Sequence, residues 1–105
     1  MIEQKSSILE NTILVGVFIG GQDEKQSREY MDELEFLTYT AGGKVLKRFT
    51  QKIQIPNPKT FIGSGKILEV IDFVKYNDIS SVIFDDELSP AQQGNIEKIL
   101  KVKIL

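Results

Sequence analysis

Neither cysteine nor histidine occurs anywhere in the 105 residues of this chain. The first absence excludes a disulfide framework and a thiolate metal site. The second removes the commonest general base and the commonest transition-metal ligand, so zinc chemistry and Ser-His or Cys-His catalysis have no footing. No run reaches the ~18 apolar residues that a membrane helix needs. The first eleven residues lack the basic-then-apolar order of a signal peptide, and a cytoplasmic protein is expected. Acids are missing from one whole stretch as well. Residues 36–68 contain none, but carry six bases: Lys44, Lys47, Arg48, Lys52, Lys59 and Lys66. The flanking segments are acidic and bring the net charge to -2. Such segregation predicts one positive surface on an acidic body, able to attract phosphate.

What is present fits one domain spanning residues 1–105. A chain of this length buries roughly two-thirds of its unfolded surface, enough for a single core. Residues 13–19 (ILVGVFI) form a nearly unbroken apolar run, as expected of a strand covered on both faces of a parallel sheet. Gly20 and Gly21 end it. Asp23 and Gln26 have capping-box spacing and open a helix whose buried stripe is expected to be Tyr30, Leu34, Leu37 and Ala41. Gly42 and Gly43 stop that helix.

Residues 44–50 read as a second, more amphipathic strand. A long connection follows, in which Pro56 and Pro58 exclude regular pairing. The next helix presents Ile67, Val70, Ile71 and Val74 on one side, and residues 81–84 form a third strand. Ser89 and Gln92 make another capping box, with Pro90 at the first helical position. The last helix turns Ile96, Ile99 and Leu100 inward. Residues 102–105 begin a fourth strand, which is expected to be a boundary within a longer polypeptide because apolar chain ends are uncommon. The order βαβαβαβ predicts an α/β three-layer sandwich: a four-stranded, mostly parallel sheet with helices on both faces.

Ligands of such sheets bind at the carboxyl ends of the strands. There the loop over residues 51–66 gathers Lys52, Lys59 and Lys66 with amides and Phe61. These groups suit phosphate contact and base stacking, and they equally suit a solvated loop. Gly63, Ser64, Gly65 and Lys66 suggest a phosphate loop. However, Thr60 and Ile67 stand where that loop needs a glycine and a hydroxyl. Weak anion binding at a helix entry and a plain tight turn both remain open for this segment. Asp85, Asp86 and Glu87 have the chemistry to hold Mg²⁺ or to oppose the dipole of the following helix.

Four strings in these loops carry a family resemblance. They are residues 50–52 (Thr-Gln-Lys), 58–66 (Pro-Lys-Thr-Phe-Ile-Gly-Ser-Gly-Lys), 84–93 (Phe-Asp-Asp-Glu-Leu-Ser-Pro-Ala-Gln-Gln) and 95–97 (Asn-Ile-Glu). In order and spacing they resemble the N-terminal domain of the HflX GTPases. That resemblance implies a parent protein that binds GTP with Mg²⁺ and associates with the large ribosomal subunit, in ribosome splitting or biogenesis. It implies that this domain contacts ribosomal RNA, that a GTPase domain follows it, and that no cofactor belongs to this portion alone. GTP hydrolysis by these residues alone is not expected.

The candidate RNA or phosphate contacts are Lys47, Arg48, Lys52, Lys59, Phe61, Gly63, Ser64, Gly65 and Lys66. Phe61 is the expected stacking group. An ATP-binding catalytic domain using residues 63–66 is the alternative. Gly94 stands where the family more often has a base.

Overall fold

A computed structural model of the chain describes residues 10–19 and 24–105. The Gly20-Gly21 stop and the Asp23 half of the first capping box lie outside them. The elements are β1 (Asn11–Ile19), α1 (Glu24–Thr40), β2 (Lys44–Ile53), α2 (Ser64–Tyr76), β3 (Ser81–Phe84), α3 (Pro90–Leu100) and β4 (Lys103–Ile104). The sheet has the order β2-β1-β3-β4, and all of its pairs are parallel. This is the α/β architecture expected.

The central position of β1 explains its apolar run. Ile13, Val15 and Val17 join one core with α2 and α3, while Leu14 is buried on the opposite face. On that second face the missing side chain of Gly16 leaves room for α1. A Cβ built there would lie 2.9 Å from the Met31 sulfur and 3.1 Å from an Asp85 carboxylate oxygen. Glycine inside a strand marks close approach of this kind. Helix α1 therefore covers one face alone, and α2 and α3 share the other. Phe73 of α2 meets Phe49 of β2 edge-on, with ring centroids 5.7 Å apart.

The α1 stripe differs from expectation. Its buried residues are Met31 and Thr38, whereas Tyr30 and Leu37 are 51% and 53% exposed. Ala41 is exposed beyond the helix end, and Leu34 is half-buried. The helix is turned by about one residue from the apolar stripe. Two partners on the sheet hold it so: the hollow over Gly16, and Arg48, which draws Asp32 and Glu35 toward β2. The helix ends as expected. Gly42 has φ 95°, and the Gly43 amide donates to the Thr38 carbonyl at 2.9 Å.

Strand β2 runs to Ile53, three residues further than its apolar pattern suggests, because its register with β1 continues to Ile19. Edge strands tolerate polar residues that central strands do not. In α2, Ile67 and Val70 are buried and Ile71 and Val74 are partly so, as expected. In α3, Ile96 and Leu100 are buried, while Ile99 is 39% exposed. The α3 start forms as read: the Ser89 hydroxyl accepts from the Gln92 amide at 3.1 Å, the Gln92 side chain returns to the Ser89 amide at 2.9 Å, and Pro90 follows the cap. Among the described residues no helix is long and apolar enough to cross a membrane.

Candidate functional site

The strand order reverses between β1 and β3, which places the natural crevice of this sheet beyond their carboxyl ends. Asp85 sits there, immediately after β3. Its amide donates to the Val15 carbonyl at 2.9 Å, and one carboxylate oxygen accepts from the Val17 amide at 3.3 Å. The side chain thus extends the β1–β3 ladder past the end of β3. Its other oxygen is buried with no hydrogen-bond partner among the described residues. Burial pushes the carboxyl up to about 6; the Val17 amide opposes that shift and the charge of Asp86 adds to it.

Asp86 accepts from the Glu87 amide at 2.7 Å. Among the described residues no three carboxylates converge on a metal position. Asp85 and Asp86 thus each hold a backbone amide.

The basic residues do not form one rim. Strand neighbours alternate between faces, so Lys47 and Arg48 lie on opposite sides of the sheet. Lys47 lies over the Phe49 ring, with its nitrogen 5.3 Å from the centroid, on the α2 side. Arg48 meets Asp32 at 2.7 Å and Glu35 at 2.8 Å on the α1 side. Burial lowers its pKa, but the hydrogen bonds and charges of those two carboxylates more than compensate and leave it raised. Lys52 is paired with Glu24 at 3.0 Å, and Lys66 with Glu69 at 3.3 Å.

A groove of about 470 Å³ beside α1 is lined by Phe36, Tyr39, Lys44 and Arg48, but also by Asp32 and Glu35. Its charges cancel. The expectation of a single cationic surface is therefore corrected. The acids of α1, remote in sequence from the basic stretch, fold against it.

Phe61 is also corrected. It is only 4% exposed, and its ring meets Phe84 edge-on at 5.9 Å. A ring sealed in the core has no free face for a nucleobase. Its φ of 69° is a left-handed backbone conformation uncommon outside glycine, which the surrounding contacts hold in place.

What remains at the carboxyl edge is a closely tied turn. Asn57 and Phe61 exchange backbone hydrogen bonds of 3.1 and 2.8 Å. The Asn57 side-chain oxygen accepts from the amides of Lys59 (2.8 Å) and Thr60 (3.2 Å). The Thr60 hydroxyl donates to the Ile62 carbonyl at 2.8 Å. From α3, the Gln92 amide nitrogen donates to the Asn57 carbonyl (2.8 Å) and that of Asn95 to the Lys59 carbonyl (3.2 Å). Lys59 is left exposed at the tip with no carboxylate beside it among the described residues.

Next along the chain, Gly63 caps α2 without a side-chain bond, and its amide is held by the Gln51 oxygen at 2.8 Å. Ser64, Gly65 and Lys66 begin the helix, and the space around Gly65 is open. Amides in a first helical turn have no partner within the helix and a partial positive charge, which suits an anion weakly.

The family described as "GTP-binding GTPase N-terminal" matches residues 28–105. The chain is 55% identical over all of its 105 residues to the "GTPase HflX" of Flavobacterium psychrophilum, covering 25% of that protein. It is 40% identical to the "GTPase HflX" of Lacrimispora saccharolytica over 100% of its length, covering 24% of the relative. Against the "GTPase HflX" of Escherichia coli it is 33% identical over 91% of its length, covering 22%. The chain belongs to the HflX N-terminal domain family. It spans about a quarter of the length of these curated relatives.

The strings that carry the family resemblance now have structural reasons. Residues 58–66 build the turn and the entry to α2. Residues 84–93 supply the ladder-extending Asp85, the α3 cap and the Gln92 strut. Of the residues that do this holding, Gln51 and Asn57 were expected only as amides of the loop over residues 51–66 that suit phosphates and bases, not as its internal ties. Asn57 before Pro58 is a turn signal that sequence alone offers. Nothing in the sequence connects Gln51 to Gly63, twelve residues away.

Proposed function

We propose that this domain serves an HflX-like GTPase as a docking module for RNA of the large ribosomal subunit, working in the cytoplasm in ribosome splitting or biogenesis. The parent protein would hold GTP and Mg²⁺ in a GTPase domain that follows this one. That domain would also be a partner of this one. The observation that carries the reading is the exposed Lys59, with no carboxylate paired to it among the described residues, on a hydrogen-bonded turn four residues before the Gly63 cap of α2. Lys52 and Lys66 contribute less, because Glu24 and Glu69 already compensate them.

Such a surface meets few phosphates. For two contacts, counterion release lowers affinity roughly tenfold between about 50 and 200 mM salt. The chain should therefore cosediment with purified large ribosomal subunits at the lower salt and be largely released at the higher one. Absence from the pellet at low salt, with the chain folded by circular dichroism, would remove the docking reading.

A further inference from the structure

The turn that presents Lys59 is hydrogen-bonded through its backbone at Asn57, Lys59 and Phe61. The Lys59 amide is bonded to the Asn57 side chain and its carbonyl to Asn95 of α3. The Asn57 carbonyl is bonded to Gln92. Gln92 uses both ends of its side chain: the oxygen accepts from the Ser89 amide in the α3 cap, and the nitrogen reaches the turn. One side chain thus fastens the helix start and the turn together. Beneath them, Phe61 anchors the turn in the core against Phe84. This much constraint around one exposed lysine is unusual for a loop whose only task is to link β2 to α2. A cation on a flexible arm loses conformational entropy when it engages a phosphate, and a cation whose backbone is already fixed loses less.

We propose that α3 is the positioning element of the docking surface, with Asn95 and Gln92 holding Lys59 as a preorganised contact to RNA phosphate. This contact, rather than the doubly paired Arg48 of β2, sets the salt-dependent part of the affinity. The inference rests on the docking reading above and goes beyond it by naming which charge acts and what holds it. Asn95 and Gln92 are positioning residues, acting through the backbone on either side of Lys59. The contrast with β2 is electrostatic. Arg48 faces two carboxylates within 2.8 Å, so a phosphate would have to displace them, whereas Lys59 has no such competitor among the described residues.

The test compares the unaltered chain with Lys59→Ala, Asn95→Ala and Arg48→Ala. Binding to purified large ribosomal subunits is titrated from about 50 to 200 mM KCl, and the thermal midpoint of each variant is measured alongside. Lys59→Ala should lower affinity and reduce the slope of log affinity against log salt by about 0.9, the share of one phosphate contact. Asn95→Ala keeps the charge but frees the turn. It should weaken binding by roughly three- to tenfold while leaving the salt slope intact, a split that a merely destabilised domain does not produce. Arg48→Ala should leave both affinity and slope as they were.

If the unaltered chain binds but Lys59→Ala keeps its slope, or Arg48→Ala loses slope instead, the inference fails and the docking reading survives. If Lys59→Ala behaves as expected and Asn95→Ala binds normally, the positioning role is overturned. If the unaltered chain itself does not bind, the docking reading falls first and the inference with it.

Discussion

The two flanks of the molecule handle charge in opposite ways. Beside α1, Lys44, Arg48 and Lys52 lie close to acidic neighbours, and Arg48 is bound by two carboxylates. Beside α3 there is a single exposed lysine on the turn, but no acid shares it and five hydrogen bonds hold the turn around it. The flank richer in bases is thus the less able to attract an anion. Counting lysines along a sequence measures composition, whereas an electrostatic field depends on which acids fold against them. The α3 flank shows a second point: how firmly a charge is held matters as well as whether it is present.

The largest effect that sharpens this contrast is at Phe61. As a sealed core residue under the turn, its replacement by Ala should cost about 3–5 kcal/mol in urea unfolding. An exposed stacking ring would cost almost nothing, so a loss below about 1 kcal/mol would return Phe61 to the surface and undo the description of the turn.

On the other flank, Asp85→Asn tests the desolvated carboxyl. The folded pKa of about 6 lies above the ordinary carboxyl value of 3.8, so the folded state binds more protons across that window. This group's contribution to stability therefore falls as pH rises from about 4 to 6. Asn keeps an acceptor for the Val17 amide and carries no charge. Allowing for partial exposure, it should stabilise the domain by about 1 kcal/mol at neutral pH, with the gain vanishing below pH ~4. A constant difference across that range in thermal melts would show that Asp85 does not titrate there.

The smallest effect is at Gly94 on α3, where a Cβ meets nothing within 4 Å. Gly94→Lys should add roughly 0.7 kcal/mol of helix stability. It should also raise the salt slope of RNA binding by about 0.9, since the new charge stands one residue from Asn95, about 100° round α3 from it. A more stable helix with an unchanged slope would show that this face does not lie on the RNA.

Much of the scaffold was legible from local chemistry. The Ser89–Gln92 cap, Pro90, the glycine stop after α1 and the two-sided burial of β1 all follow from residues close in sequence. Even the separation of Lys47 from Arg48 follows from strand period alone. The side each one takes does not. The pairing of β1 and β2 slips by one residue at Leu46, and that bulge decides which face receives Arg48. The turn of α1 was equally hidden, because its apolar stripe competes with a sheet that offers a hollow at Gly16 and a guanidinium at Arg48.

The sequence by itself determined the order of elements, the α3 cap, the glycine stop of α1, the parallel α/β class and the family, because hydrophobic period and turn chemistry act over a few residues. Tertiary structure decided which cations stay free and which aromatic ring is buried. It also decided which polar side chains reach across to hold a turn. Those outcomes depend on contacts between residues 12 to 68 positions apart, such as Gln51 with Gly63, Asn95 with Lys59, and Asp85 with Val17. No local pattern encodes the geometry that brings them together.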